Sequence, residues 1–201
     1  MQLYYSPTSP FVRKVHMLAL VAKLPDLELV RANPLADDTL RAVNPLGKVP
    51  ALADGELTLI DSPLICEYLD DKSIALGNPS FFHKGQPDYY LIQRTHALAD
   101  GVLDAAVATV MERRRQDSEQ SSHWLRRWHQ AITSGLAWLE SQDIDNATHP
   151  HIGTFATVAA LGYLDFRLPN LNWREQNPTL ARWYAEIESV EWVASTQPRD
   201  A

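Results

Sequence analysis

Two short stretches hold the residues of this chain that could do chemistry. In the first, Ser9 stands directly before Pro10 and a run of helix-forming residues; in the second, Asp61 and Ser62 stand before Pro63. A hydroxyl or carboxylate followed by proline is the pattern of a helix start. The side chain accepts from a backbone N–H of the first turn, and the missing proline N–H costs nothing there. A helix start also presents unpaired N–H groups and partial positive charge, so it favours an anion. The residues alone leave both roles open: Ser9 either caps its helix or also gives its hydroxyl hydrogen to a bound anion.

Other chemistries are poorly supplied. Cys66 is the only cysteine, which excludes an intrachain disulfide or a cysteine zinc site. Among the seven histidines the closest pair is His149 and His151, and no HExxH pattern occurs, so no metal is expected. The formal net charge is −7, from 18 basic and 25 acidic side chains, which argues against a nucleic-acid partner. Arg113, Arg114 and Arg115 are followed by Asp117 and Glu119 and read as a solvated helix end. The chain starts almost directly in a strand-like run with no basic-then-apolar leader. No apolar stretch approaches the ~20 residues of a membrane span, so a cytoplasmic protein without membrane contact is expected.

The elements that must position these residues fall into two halves. Residues 2–5 form an apolar run that stops at Ser6, Pro7 and Thr8. From Pro10, the residues Phe11, Val12, Val15, Leu18, Ala19 and Ala22 recur at helical spacing. Leu27, Leu29 and Val30 suggest a second strand. Residues 49–52 and 57–60 flank Asp54-Gly55, a hairpin signal, and a helix with Leu64, Ile65, Tyr68 and Leu69 follows. The order is βαβ, a looser segment, then ββα. Beyond a linker at residues 76–87 the pattern is helical throughout. One long helix begins near Pro87, a second runs through Trp124 to Leu139, and others span about 154–166 and 178–190. Gly101, inside the long helix, costs about 1 kcal/mol relative to alanine and suggests close approach of a ligand or partner chain, or a tolerated weakness.

Three motifs resemble a known family. Tyr4-Tyr5-Ser6-Pro7-Thr8-Ser9-Pro10-Phe11-Val12-Arg13-Lys14-Val15 resembles the first strand, active-site loop and first helix of serine-type glutathione S-transferases. Asn44-Pro45-Leu46-Gly47-Lys48-Val49-Pro50-Ala51-Leu52 is similar to the family's approach to a cis-proline, and Asp61-Ser62-Pro63-Leu64-Ile65-Cys66-Glu67-Tyr68-Leu69 to its acidic-Ser glutathione motif. Leu161-Gly162-Tyr163-Leu164-Asp165-Phe166-Arg167 is similar to a stretch in many bacterial cytosolic members. The likeness covers nearly the whole chain. It departs at His151 and Thr154, where the family usually has a Ser or Thr and an Asp forming a capping box; that box reads as absent or replaced.

The resemblance implies a thioredoxin-like, glutathione-binding domain over 1–75 and an all-helical domain over 87–201 lining a hydrophobic site. Glutathione is then the co-substrate and Ser9 the catalytic residue, stabilising its thiolate, with Thr8, Ser6 and Tyr5 as rivals. Free thiols titrate near ~8.5, and lowering one by about two units takes roughly 2.7 kcal/mol of differential stabilisation. Asp61 and Ser62 would hold the γ-glutamyl end. Val49, before a cis Pro50, would pair with the cysteinyl backbone, and Lys48 would reach the glycyl carboxylate. Tyr5, Phe11, Asp100, Leu103, Asp104, Val107 and Tyr163 are the candidates for the electrophile pocket. A homodimer acting on a small hydrophobic electrophile is implied. Glutathione-dependent peroxidase or disulfide reductase chemistry, or a binding module without turnover, stand as alternatives.

Overall fold

The computed structural model describes residues 1–142 and 149–200. Strand β1 (Gln2–Tyr5) carries the fully buried Leu3, and α1 (Pro10–Val21) crosses from it to the parallel β2 (Glu28–Arg31). The looser segment contains a single turn of helix, α2 (Leu40–Val43), too short to leave a periodic signal. Strands β3 (Ala51–Asp54) and β4 (Leu57–Ile60) form the hairpin at Asp54-Gly55, where Gly55 takes the left-handed φ of 61° that the turn requires. Helix α3 (Ser62–Ala75) follows. The four strands lie in the order β2-β1-β3-β4, with β3 antiparallel to both neighbours. This is the thioredoxin-like βαβ-ββα arrangement.

The second half is helical: α4 (Tyr89–Arg113), α5 (Ser122–Glu140), α6 (Ile152–Arg167), α7 (Trp173–Gln176), α8 (Pro178–Ile187) and α9 (Glu191–Ala194). Residues 143–148 and 201 of the expected second domain lie outside the described residues. Helix α6 is the centre of the half: every residue from Ile152 to Leu164 is buried, and it packs against both α4 and α1. Helix α1 is therefore enclosed by α3 on one side and by α6 and α9 on the other, which joins the two halves through one hydrophobic core.

Two expectations change in the structure, at the connector and at the α6 cap. The stretch at 76–87 is an anchored connector: Asp70 accepts from Ser80 Oγ (2.7 Å) and from the Phe81 N–H (2.6 Å), Asn78 Nδ2 donates to the Ala22 carbonyl (3.0 Å), and Phe81 and Phe82 are buried. Gly101 is exposed, with open space around its would-be Cβ. No other part of the chain presses on it among the described residues, whereas Gly135, whose Cβ would lie 2.5 Å from Val102, marks a tight helix–helix approach. The capping box at α6 is present in altered form. His151 Nδ1 accepts from the Thr154 N–H (3.2 Å) and Thr154 Oγ1 accepts from the His151 N–H (3.3 Å). An imidazole nitrogen does here what a serine oxygen usually does, so the helix starts at Ile152, two residues before the sequence suggests.

Candidate active site

Sheet register brings the three motifs to one place. Ala51 pairs with Tyr4 across β1 and with Ile60 across β4. The loop leaving β1, the Val49-Pro50 step entering β3 and the Asp61 step leaving β4 therefore emerge at the same end of three adjacent strands.

On the first of these, Ser9 is the N-cap of α1, in extended backbone at φ −83°, and its Oγ accepts from the Val12 N–H at 3.3 Å. That contact uses a lone pair. The hydroxyl hydrogen has no acceptor among the described residues, so capping and donation to an anion are compatible roles for one oxygen. The neighbouring hydroxyls of Ser6 and Thr8 are bonded to each other at 3.0 Å. Tyr5 is half-buried at the end of β1.

On the second, the Val49-Pro50 bond is cis. Buried Asn44 shapes the approach: its Nδ2 donates to the Lys48 carbonyl (2.7 Å) and its Oδ1 accepts from the Leu46 N–H (3.0 Å). The Val49 side chain packs on the small cluster of Ala32, Leu40 and Ala51. Its own N–H and C=O take no hydrogen bond within the described residues, leaving one residue's width of strand edge unpaired. Lys48 is exposed beside it.

On the third, Asp61 has φ 74° and ψ 126°, a conformation that costs a non-glycine residue about 1–3 kcal/mol. Such strain concentrates at functional sites. Asp61 is exposed and its side chain caps nothing; Ser62, the first residue of α3, is buried, and its hydroxyl takes no partner among the described residues.

Helix α4 faces this end of the sheet. Burial raises the pKa of the Asp104 carboxyl, as do the nearby Asp100 and Asp61, while Lys48 and Lys14 pull it down; the position is thus electrically coupled to both glutathione-motif stretches. Asp100 is not a free pocket wall. It is held by Lys14 Nζ at 2.5 Å and by His96 Nε2 at 3.2 Å, and Lys14 is completely buried. Burial works against the Asp100 charge, but the His96 hydrogen bond and the Lys14 ammonium outweigh it and leave its pKa lowered. Of the remaining pocket candidates, Phe11 and Val107 are half-buried against the core and Tyr163 is 4% exposed. Leu103 is fully buried and belongs to the core, because one helical position separates the inward face of α4 from Asp104.

Sequence reasoning missed two residues. Arg13 and Lys14 are given no role in the sequence reading, yet they are 4% and 0% exposed. Arg13 donates to the carbonyls of Val158 (3.3 Å) and Val193 (3.2 Å) and to Thr196 Oγ1 (3.4 Å), tying α1 to α6 and α9. The signal was available: both residues lie a helical turn before Met17 and Leu18, on the apolar stripe of α1.

Comparison with known proteins decides the family. Residues 3–74 match the model described as Glutathione S-transferase, N-terminal domain, and residues 122–186 the model described as Glutathione S-transferase, C-terminal domain. The GST-like protein YibF of Escherichia coli (strain K12) is 35% identical, over the full length of both chains. The chain belongs to the glutathione S-transferase family. A family member from Pseudomonas fluorescens Pf-5, crystallised with bound glutathione, superposes with a TM-score of 0.92 at 35% identity over 99% of each chain. A second structure from that species, with bound S-(propanoic acid)-glutathione, gives 0.89 at 34% identity over the whole of both chains. For this glutathione S-transferase family member the βαβ-ββα domain and the helical domain are therefore the family's two parts. Among the described residues no helix is long and apolar enough to cross a membrane, and no group of three His, Cys, Asp or Glu could hold a metal ion.

Proposed function

We propose that this protein is a cytoplasmic glutathione transferase in which Ser9 stabilises the thiolate of bound glutathione for attack on a small hydrophobic electrophile. The observation that carries the reading is the shared strand end set by Ala51. Two strand spacings separate β1 from β4 there, about 10 Å, and an extended tripeptide is about as long. The relatives with bound glutathione and bound S-(propanoic acid)-glutathione support the same ligand.

In this reading the ammonium and carboxylate of the γ-glutamyl end meet Asp61 and the Ser62 hydroxyl at the start of α3. The unpaired N–H and C=O of Val49 pair with the cysteinyl backbone as one more strand residue would, and Lys48 meets the glycyl carboxylate. The sulfur then lies at the start of α1, where the Ser9 hydroxyl and the first-turn N–H groups favour the thiolate. The thiol proton leaves to solvent. The thiolate electron pair forms a carbon–sulfur bond, and either a leaving group departs with its bonding pair or an activated double bond takes the electrons and then a proton from water.

Redox chemistry through a thiol of the enzyme is disfavoured. Cys66 is fully buried, and burial pushes its thiol up to about 12. Peroxide or disulfide reduction would have to use the thiol of glutathione itself. A homodimer completes the reading, supported by exposed Leu57 and Leu64 on the sheet half and by Tyr90 and Leu91 at the start of α4.

The test is a pH titration of bound glutathione by its thiolate ultraviolet absorbance, in the wild type and in Ser9→Ala. A thiol pKa about two units below that of free glutathione, restored in the variant, is the expected result. Binding with an unshifted thiol would replace the enzyme by a binding module.

A further inference from the structure

One charged arrangement beside the site has no part in the chemistry above. Residues 197–200, after α9, turn back over the loop that precedes Ser9, where the Arg199 N–H donates to the Pro7 carbonyl at 3.3 Å. The next residue, Asp200, accepts from Arg167 Nη2 at 2.7 Å. The partners are unequally held. The Arg167 side chain is 21% exposed and lies over the Phe166 ring, 3.8 Å from its centroid, whereas the Asp200 side chain is 77% exposed. An ion pair with one partner mostly in water is weak, so the cation is fixed and the anion is easily exchanged.

The surroundings favour an anion. Tyr163 lies one helical turn before Arg167, on the same face of α6. Burial raises the pKa of its hydroxyl, and the charges that pull it back down are Arg167 and Arg114. Arg114, at the end of α4, forms no ion pair among the described residues; its polar contact is Met111 Sδ at 3.8 Å. Both charges that act on the Tyr163 hydroxyl are thus cationic, in a chain whose net charge is −7. A negatively charged substrate gains nothing from that overall charge and needs local cations of this kind. Ser9 is two residues beyond Pro7, within about 7 Å of chain, so the segment that carries Asp200 crosses the same loop that presents Ser9.

We propose that Arg167 binds a carboxylate carried by the electrophile, and that Asp200 occupies this position as a displaceable stand-in when no such substrate is bound. The assignment names the substrate class of the glutathione site and rests on that reading. It makes the small hydrophobic electrophile one that carries a carboxylate at one end and gives residues 197–200 the role of a strap that yields to it.

Calorimetric titration of the full chain with S-(2-carboxyethyl)glutathione and with S-propylglutathione tests this. The wild type should prefer the carboxylate conjugate by about fivefold, the scale of a charge-assisted contact that is partly open to water. Arg167→Gln should bring the ratio near one, and Asp200→Asn, by removing the competing anion, should raise it by about a further twofold to threefold. A wild-type ratio near one, a preference that survives Arg167→Gln, or an Asp200→Asn ratio equal to wild type would each overturn the assignment. Asp200→Asn leaves Arg167 in place and so decides the question even if Arg167→Gln folds poorly. Failure of the wild type to bind either conjugate or glutathione itself overturns the glutathione reading along with the assignment; equal binding of the two conjugates overturns the assignment alone.

Discussion

The Arg13 guanidinium fills the space that a side chain at position 162 would need: a Cβ on Gly162 would lie 1.9 Å from Arg13 Nη1 and 2.8 Å from the Tyr184 hydroxyl. The glycine inside the buried α6 is thus explained by a cation from α1, whose hydrogen bonds to the Val158 and Val193 carbonyls form the polar contact between the two halves near the site. No carboxylate pairs with Arg13 among the described residues, so its charge depends on those carbonyls.

Gly162→Ala should therefore cost more than an ordinary overpacked methyl. Extra core volume alone costs about 1–3 kcal/mol. Pushing the guanidinium off its carbonyls adds the penalty of a buried, poorly bonded charge, so the expected loss is about 3 kcal/mol or more. Urea denaturation measures it. A double-mutant cycle with Arg13→Met should show strong coupling, the pair costing less than the sum of the singles. Additive losses would mean that the two positions act separately.

The ion pair of Lys14 and Asp100 is a second link between the halves and should be visible in acid. Lys14→Ala leaves Asp100 with His96 alone, and breaking a buried pair from one side costs about 3–5 kcal/mol; the partial exposure of Asp100 places this case at the lower end. Asp100 has its folded pKa lowered below 3.8. Its contribution is therefore fully present above the unfolded value and is lost as the pH falls through the depressed folded one. Stability of the wild type should drop steeply below about pH 4, and the slope should be shallower in Asp100→Asn. Equal slopes for the two proteins between pH 5 and 2.5 would remove Asp100 from the account.

Much of this was legible in the sequence, and the remainder was hidden for physical reasons. Ser9-Pro10 and Asp54-Gly55 act through backbone geometry alone, so residue type reveals them: the N-cap and the hairpin stand where the sequence put them. The φ of Asp61 has no such signature, since the residue usual in that conformation is glycine and only the surrounding structure imposes it on an aspartate. The burial of Arg13 and Lys14 is signalled by their place on the apolar stripe of α1, but their partners on α4, α6 and α9 are not, since those contacts are long-range. The His151 cap was hidden because imidazole is seldom the acceptor at a helix start. The motifs named the candidate site, but the contacts that hold α1, α4 and α6 around it are long-range and leave no local pattern.

The strained Asp61 separates stability from binding. Asp61→Gly relieves about 1–3 kcal/mol of backbone cost, less the roughly 0.5–1 kcal/mol that glycine loses in chain entropy, for a net gain of about 1 kcal/mol. The same substitution removes the carboxylate proposed to meet the γ-glutamyl ammonium, so glutathione affinity should fall by about tenfold or more. Asp61→Asn keeps the strain and removes the charge; it should lose affinity without gaining stability. Melting temperature and calorimetric titration give both quantities, and a Gly variant that binds glutathione like wild type would free Asp61 from the site.

Ser9 is the residue at which the cap and the proposed thiolate contact share one oxygen, and two substitutions can separate them. Ser9→Ala removes the acceptor for the Val12 N–H and should cost about 1 kcal/mol of stability, as lost N-caps do. Ser9→Gly loses the same oxygen but suits the extended cap backbone, and glycine in place of a capping side chain typically costs only a few tenths of a kcal/mol. If the hydroxyl hydrogen stabilises the thiolate, both variants should raise the pKa of bound glutathione by the same amount, although their stabilities differ. If Ser9 is only a cap, the thiol pKa should follow stability instead: raised in the alanine variant, where the helix start loosens, and close to wild type in the glycine variant. Denaturation curves and thiolate absorbance on the same three proteins give the comparison, and a normal thiol pKa in Ser9→Gly would move the catalytic role to Thr8 or Tyr5.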